Sequence, residues 1–203
     1  MIWSVFEYSV TEFTFIEAPP TVVWNLVRNM ERFPTFLSAV VAVERLRSDS
    51  TTLVQPGTRF RRTLIVGKNR SQTITSDITI IQYEDNKAEF PKTMAIYADE
   101  MSPRMSGRVS WTVEPIQDSS SSCRLVMNST ILPKKCCLFL GGCAFVPVCL
   151  FPKVTGLILK RDLQEFTEAA EASFKTMEDT NIASVDDTSP QSVDDTTIHL
   201  STE

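Results

Sequence analysis

Histidine is almost missing from this chain of 203 residues: the one present, His199, sits close to the C-terminus in a polar tail. No folded site can therefore use an imidazole as general base, triad member or metal ligand, which excludes histidine-dependent hydrolases and histidine-bearing zinc sites. Glycine is scarce too, with six residues, and the cluster Gly141-Gly142-Cys143 lacks the Lys-Ser/Thr of a phosphate loop and the spacing of a dinucleotide fingerprint. The chain has no excess of positive charge, with 20 Lys and Arg against 25 Asp and Glu, and no basic stripe interleaved with aromatics, so nucleic acid is not an expected partner. Nor does "MIWSVFEYSV" supply the basic and apolar regions of a secretion signal. That predicts an intracellular, cytoplasmic protein whose five cysteines stay reduced and whose sequons at Asn69 and Asn128 are chance matches.

What remains is enough for one domain with a sizeable core and a tail, since 42% of the residues are hydrophobic. After Lys175 the chain holds seven acidic residues and no Lys or Arg; taking 7 from 25 leaves 18 acidic groups against 20 basic ones in a nearly neutral body. A segment so rich in Ser, Thr and Asp buries too little apolar surface to offset chain entropy, so residues 178–203 are expected to be a disordered acidic tail after a domain spanning 1–177. Its pentad SVDDT occurs at Ser184 and again at Ser192, the latter placed as acid-directed kinases favour; a solubilising role is the plainer reading.

Periodicity gives the order of elements. "TEFTFIE" alternates as a strand should, and Ala18-Pro19-Pro20 stops it because proline cannot donate to a sheet ladder. Proline is tolerated in a first helical turn, and Val23, Trp24, Val27 and Met30 follow at helical spacing. Pro34 then breaks that helix and a second short one is expected over "FPTFLSAV". Six further strands with hairpin-length breaks follow: "VVAVERLRS", "TRFRRTLIV", "SQTITSDITIIQY", "KAEFPKTMAIY", "SGRVSWTVEPI" and, after the polar break "QDSSSSC", "RLVMNSTIL". Their alternation sets Phe60, Arg62, Leu64 and Val66 on one face, then Ile74, Ser76, Ile78 and Ile80, then Val109, Trp111 and Val113 with Leu125, Met127, Ser129 and Ile131. A long amphipathic helix from Pro152 to Met177, apolar at Leu159, Leu163, Phe166, Ala170, Phe174 and Met177, can cover that face. The predicted class is α+β: a seven-stranded antiparallel sheet gripping a long C-terminal helix, with two short helices after the first strand.

"APPTVVW", "ERFPTFLSAVVAVERL", "PGTRFRRTL", "SGRVSWTVEP" and "KRDLQEF" together resemble the START-like superfamily, the polyketide cyclase/dehydrase and lipid-transport grouping, over Thr11 to Phe174. The resemblance rests on a pattern of elements rather than on a catalytic motif. It implies a helix-grip fold that holds a small apolar molecule (a lipid, sterol, quinone or polyketide) between sheet and helix, and it makes the sharp turn at Ala18-Pro19-Pro20 part of the cavity wall.

Combined with the alternation, the resemblance makes Phe60, Arg62, Ile78, Met94, Trp111, Met127 and Phe166 the expected ligand-binding residues. Arg62 and Lys92 share an apolar strand face, where a lone charge is costly; each has a ligand headgroup, a protein carboxylate or the solvent as its partner. Trp24, at apolar helical spacing, reads as core. The apolar run Cys136 to Phe151, flanked by Lys134, Lys135 and Lys153 and interrupted by Pro147, is shorter than the ~20 residues that span a bilayer. Its four cysteines lack the paired spacing of a zinc site, so no metal and no cofactor is expected. It reads either as a cover over the cavity mouth or as a peripheral membrane contact through Leu138, Phe139 and Phe145, with cysteines open to palmitoylation.

No catalytic residue is assigned. The expected function is binding or transport of a small hydrophobic ligand by a monomer. The alternatives are a cyclase or dehydratase using Arg62, Lys92, Tyr83, Tyr97 or a carboxylate for proton transfer, and a non-catalytic interaction scaffold.

Overall fold

Two prolines set the first reversal of the chain. The computed structural model describes residues 7–46, 54–66, 71–85, 87–102, 105–117, 119–133 and 151–185. Strand β1 (Tyr8–Ile16) ends just before Pro19-Pro20, and α1 (Pro20–Arg28) begins with Pro20, whose missing N–H is no loss in a first turn. Val22, Val23, Trp24, Leu26 and Val27 are all buried, so α1 is held by packing rather than by any side-chain cap.

The second short helix differs from the expected "FPTFLSAV" segment. It is a 3-10 helix over Met30–Thr35, which starts earlier and stops before Leu37. Pro34 supplies no N–H for an α ladder, and the chain takes tighter bonds instead: Arg32 N–H donates to the Asn29 carbonyl at 3.0 Å and Phe36 N–H to that of Phe33 at 3.2 Å.

Six strands complete the sheet: β2 (Val40–Arg45), β3 (Arg59–Val66), β4 (Gln72–Tyr83), β5 (Lys92–Ser102), β6 (Met105–Ile116) and β7 (Ser119–Pro133). All seven pair antiparallel in the order β1-β7-β6-β5-β4-β3-β2, so consecutive hairpins form a meander and β7 returns to β1. At the β2–β3 turn Gly57 has φ 94°, a left-handed conformation that other residues adopt only under strain, and its N–H donates to the Ile80 carbonyl at 2.8 Å. The polar "SSSSC" run, expected as a loop, is instead strand: Ser119 pairs with Ile116 and Cys123 with Pro115, so β7 opens well before Arg124.

The last helix, α2, runs from Phe151 to Val185 and so carries helix past the expected start of the acidic tail at residue 178. The Thr176 hydroxyl bonds the Ala172 carbonyl at 2.9 Å and the Thr180 hydroxyl that of Thr176 at 2.8 Å, absorbing polar groups without leaving the helix. Residues 186–203 lie outside the described ones. α2 lies along β1, with Glu171 accepting from the Glu17 N–H at 3.3 Å, and it covers the inner face of the sheet. Gly156 faces β1: a Cβ there would lie 3.3 Å from Glu12 Oε1, the movable end of a side chain. Between sheet, α1, the 3-10 helix and α2 sits one apolar core that includes Ile16, Phe33, Ile80, Leu125 and Phe166. The fold is a seven-stranded antiparallel sheet closed by a long C-terminal helix, with short helices after β1. In β1 the alternation has Val10 and Ile16 on the core side and sends Phe13 and Phe15 outward, 52% and 61% exposed.

Candidate functional site

All seven expected ligand-binding residues belong to the inner side of the structure. Met94 pairs with Trp111, and Trp111 with Met127, in one row across β5, β6 and β7. Phe60 pairs with Ile78, and two residues further along β3 Arg62 pairs with Ser76. Phe166 comes down from α2. Its ring lies 5.5 Å from that of Phe33 and 5.0 Å from that of Phe36, and Phe33 in turn lies 5.8 Å from Trp111, edge to face in each case. The seven thus fall into two groups: Met94, Trp111 and Met127, joined to Phe166 through Phe33, and Phe60 and Ile78 beside Arg62.

Arg62 is the unusual member. Its side chain is buried on an apolar face, and its Nε has no hydrogen-bond partner. Burial lowers its pKa from the ordinary guanidinium range to about 10, against a smaller opposite pull from the Asp162 carboxylate, so it stays charged at neutral pH. Asp162 in turn is pushed above the usual carboxylate range, first by burial, and its hydrogen bonds go to Arg161 at 2.9 and 3.3 Å rather than to Arg62. Two inward charges therefore feel each other without a bond between them. Ser76 Oγ and Trp111 Nε1 are likewise buried without a partner. Such groups are costly in an apolar interior. Arg62 and Ser76, paired across β3 and β4, offer a planar guanidinium and a hydroxyl to an acceptor-bearing molecule, and Trp111 offers its indole N–H in the other group.

Lys92 takes the protein-paired course. Its Nζ donates to the Asp85 carbonyl at 3.3 Å and lies 5.9 Å from the Trp24 ring and 5.2 Å from that of Phe90. Trp24 is core, 3% exposed, and its indole donates to Asp85 Oδ1 at 2.6 Å while Arg28 pairs with the other oxygen at 3.2 Å. Burial works to raise the Asp85 carboxyl, but these two donors outweigh it and hold the group below the usual range. Burial, and then the Asp85 charge, raise Tyr83. Beside this network opens a cleft of about 240 Å³, with Arg28, Met30, Val54, Phe60, Tyr83 and Asp85 among its walls. A second, of about 210 Å³, lies between β1 and α2 at Phe13, Lys160 and Leu163. Of the seven expected residues, Phe60 alone lines either cleft.

Sequence reasoning missed Asp162, which is absent from the apolar stripe assigned to the last helix. Its position gave a signal, three residues after Leu159 and four before Phe166, within the buried stripe. Leu138, Phe139 and Phe145, and four of the five cysteines, lie outside the described residues. Among the described residues no helix is long and apolar enough to cross a membrane.

Solved structures share this architecture. A START superfamily protein from Mycobacterium smegmatis superimposes with a TM-score of 0.55 at 10% identity, covering 83% of this chain and 98% of its own. The Zhui aromatase/cyclase from Streptomyces gives 0.56 at 14% identity, covering 84% and 94%. A Thermus thermophilus protein gives 0.58 at 17%, covering 82% and 99%. At these identities the likeness is one of fold. No curated protein matches the chain significantly. Residues 7–142 match the polyketide cyclase/dehydrase and lipid transport family, and with two-thirds of its length so matched on a seven-stranded sheet closed by α2, the chain belongs to that family.

Proposed function

We propose that this protein binds a small, mainly apolar molecule between the inner face of the sheet and α2, with the molecule's polar end at Arg62. The observation that carries the reading is the buried guanidinium on an apolar face, its Nε unpartnered and its nearest countercharge occupied by Arg161. A carboxylate, phosphate or carbonyl oxygen on the ligand would satisfy it, while Phe60, Ile78, Met94, Trp111, Met127 and Phe166 receive the apolar body. Carriage without turnover needs nothing further. Peripheral membrane contact through Leu138, Phe139 and Phe145 would suit such a carrier.

A scaffold without ligand is the second reading, favoured by the Phe33, Phe36, Trp111 and Phe166 packing, which fills part of the space between sheet and helix with side chains. Native mass spectrometry on protein purified without detergent from a eukaryotic host, followed by organic extraction, separates the two. A stoichiometric apolar molecule bearing an oxygen headgroup is expected, and incubating it with fresh protein then tests for cyclase or dehydratase turnover. A folded protein that is empty and refuses a panel of lipids, sterols and quinones would reject the ligand reading.

A further inference from the structure

The first two turns of α2 are apolar on both sides. Toward the sheet lie Thr155 and Leu159, 8% and 3% exposed, with Gly156 against Glu12 and Val10. On the opposite side Val154, Leu157 and Ile158 are 51%, 69% and 45% exposed, and at about 100° per residue they share a single arc of the helix. Further along, that arc passes to Arg161, Glu165 and Glu168, the polar outer face of an ordinary amphipathic helix. The aliphatic patch is thus confined to the helix's beginning, and its side chains stay exposed among the described residues.

Its charge surroundings lean basic. Lys153 is exposed, and Lys160, with 65% of its side chain exposed, borders the same arc one turn later; Arg161, paired with Asp162 at 2.9 Å, closes it. Between Phe151 and Arg161 there is no acidic residue in α2, and Glu12, 3.7 Å from the Lys160 ammonium, is the acidic group facing this cluster from β1. Aliphatic side chains on one arc with lysines beside them form the pattern of a helix face that rests in the headgroup layer of an anionic membrane, the lysines meeting lipid phosphates and carboxylates while Leu157 enters the acyl boundary. We infer that the outer face of the first two turns of α2, Val154, Leu157 and Ile158 with Lys153 and Lys160, docks onto an anionic lipid surface. The inference rests on α2 alone and holds whether or not a ligand occupies the interior.

The test is flotation of the full chain with vesicles of phosphatidylcholine containing 30% phosphatidylserine, beside pure phosphatidylcholine, at low salt. The wild type is expected to float with the anionic vesicles. Leu157→Glu should lower the apparent affinity by about tenfold or more, and Lys153→Ala by about fivefold, the effect of losing one basic charge near the surface. Leu157→Phe should float like the wild type. Because these side chains are exposed, all three variants should keep the wild-type circular dichroism spectrum and melting temperature. A wild type that stays in the pellet fraction, or a folded Leu157→Glu variant that floats as well as the wild type, would overturn the inference. So would light scattering that shows a dimer, without vesicles, abolished by Leu157→Glu, since the face would then belong to a second copy.

Discussion

Replacing Arg62 by methionine separates a binding residue from a structural one. Keeping its guanidinium charged in the interior depresses the pKa from the ordinary guanidinium range to about 10, a difference that corresponds to about 3 kcal/mol of unfavourable free energy at neutral pH. The sign follows from linkage: the folded state holds this proton more weakly than the unfolded chain. The cost is therefore complete below about pH 10 and is relieved only as pH rises from there toward the ordinary guanidinium pKa. Methionine keeps a flexible apolar stem of similar length and removes the charge. Asp162 loses a positive neighbour but keeps Arg161 at 2.9 Å, so the penalty there is small. The ligand-free protein should gain about 2–3 kcal/mol, or about 4–12 °C in melting temperature for a chain of this size. Urea unfolding at pH 7 with an unchanged slope would measure it. The same variant should copurify with far less ligand, because the group proposed to receive the polar end is gone. If Arg62 is instead a structural partner of Asp162, its removal leaves a buried carboxylate and destabilises the fold by about 3–5 kcal/mol. A loss of stability together with undiminished ligand would refute the reasoning.

Trp111→Leu and Phe166→Leu should change ligand uptake more than Trp24→Leu, which should act mainly on stability; equal effects of all three on binding and on urea midpoints would undo the assignment of the inner face. Asp85→Asn keeps an acceptor for the Trp24 indole but loses the Arg28 ion pair, and should cost about 1 kcal/mol at pH 7. Since the Asp85 carboxyl is held below its usual range, that difference should be complete above pH 4 and fade as the pH falls further, which acid titration of both proteins would reveal. Gly156→Ala should stabilise by a few tenths to about 1 kcal/mol, because helix propensity outweighs a 3.3 Å approach to the movable end of Glu12; a lowered melting temperature would show that the helix cannot yield there. Burial pushes the Cys123 thiol up to about 11, so mass mapping after alkylation at pH 8 should find it unmodified until the protein is unfolded.

The sheet was legible because an antiparallel meander packed on one face repeats a period of two. Phe60, Ile78, Trp111 and Met127 could be set on one side from alternation alone, and all are buried there. Period does not say which side of an edge strand meets the helix, so Phe13 and Phe15, the most conspicuous residues of β1, turn out to face outward, where the Arg124 guanidinium lies 4.3 Å from the Phe13 ring. Boundaries were hidden for a different reason. Proline predicts that an α-helix stops but not that a 3-10 helix replaces it at Met30, and serine-rich composition reads as loop although pairing with Pro115 and Ile116 holds those residues as strand.

The site was half legible for a related reason. Arg62 stood out because a cation broke an apolar alternation. Asp162 did not, because a carboxylate on a helix is ordinary until the opposing surface is known. Only the fold, which brings Asp162 of α2 within electrostatic reach of Arg62 on β3, makes the two one feature, a pair of charges that each bias the other yet spend no hydrogen bond on one another. A pair selected for stability would close that contact, since an unclosed one leaves the desolvation cost of Arg62 standing. Local rules are broken at functional sites, where an absent partner supplies what the chain withholds. The unclosed Arg62–Asp162 pair, more than any likeness of fold, is why the interior reads as a place for a molecule with an oxygen at one end.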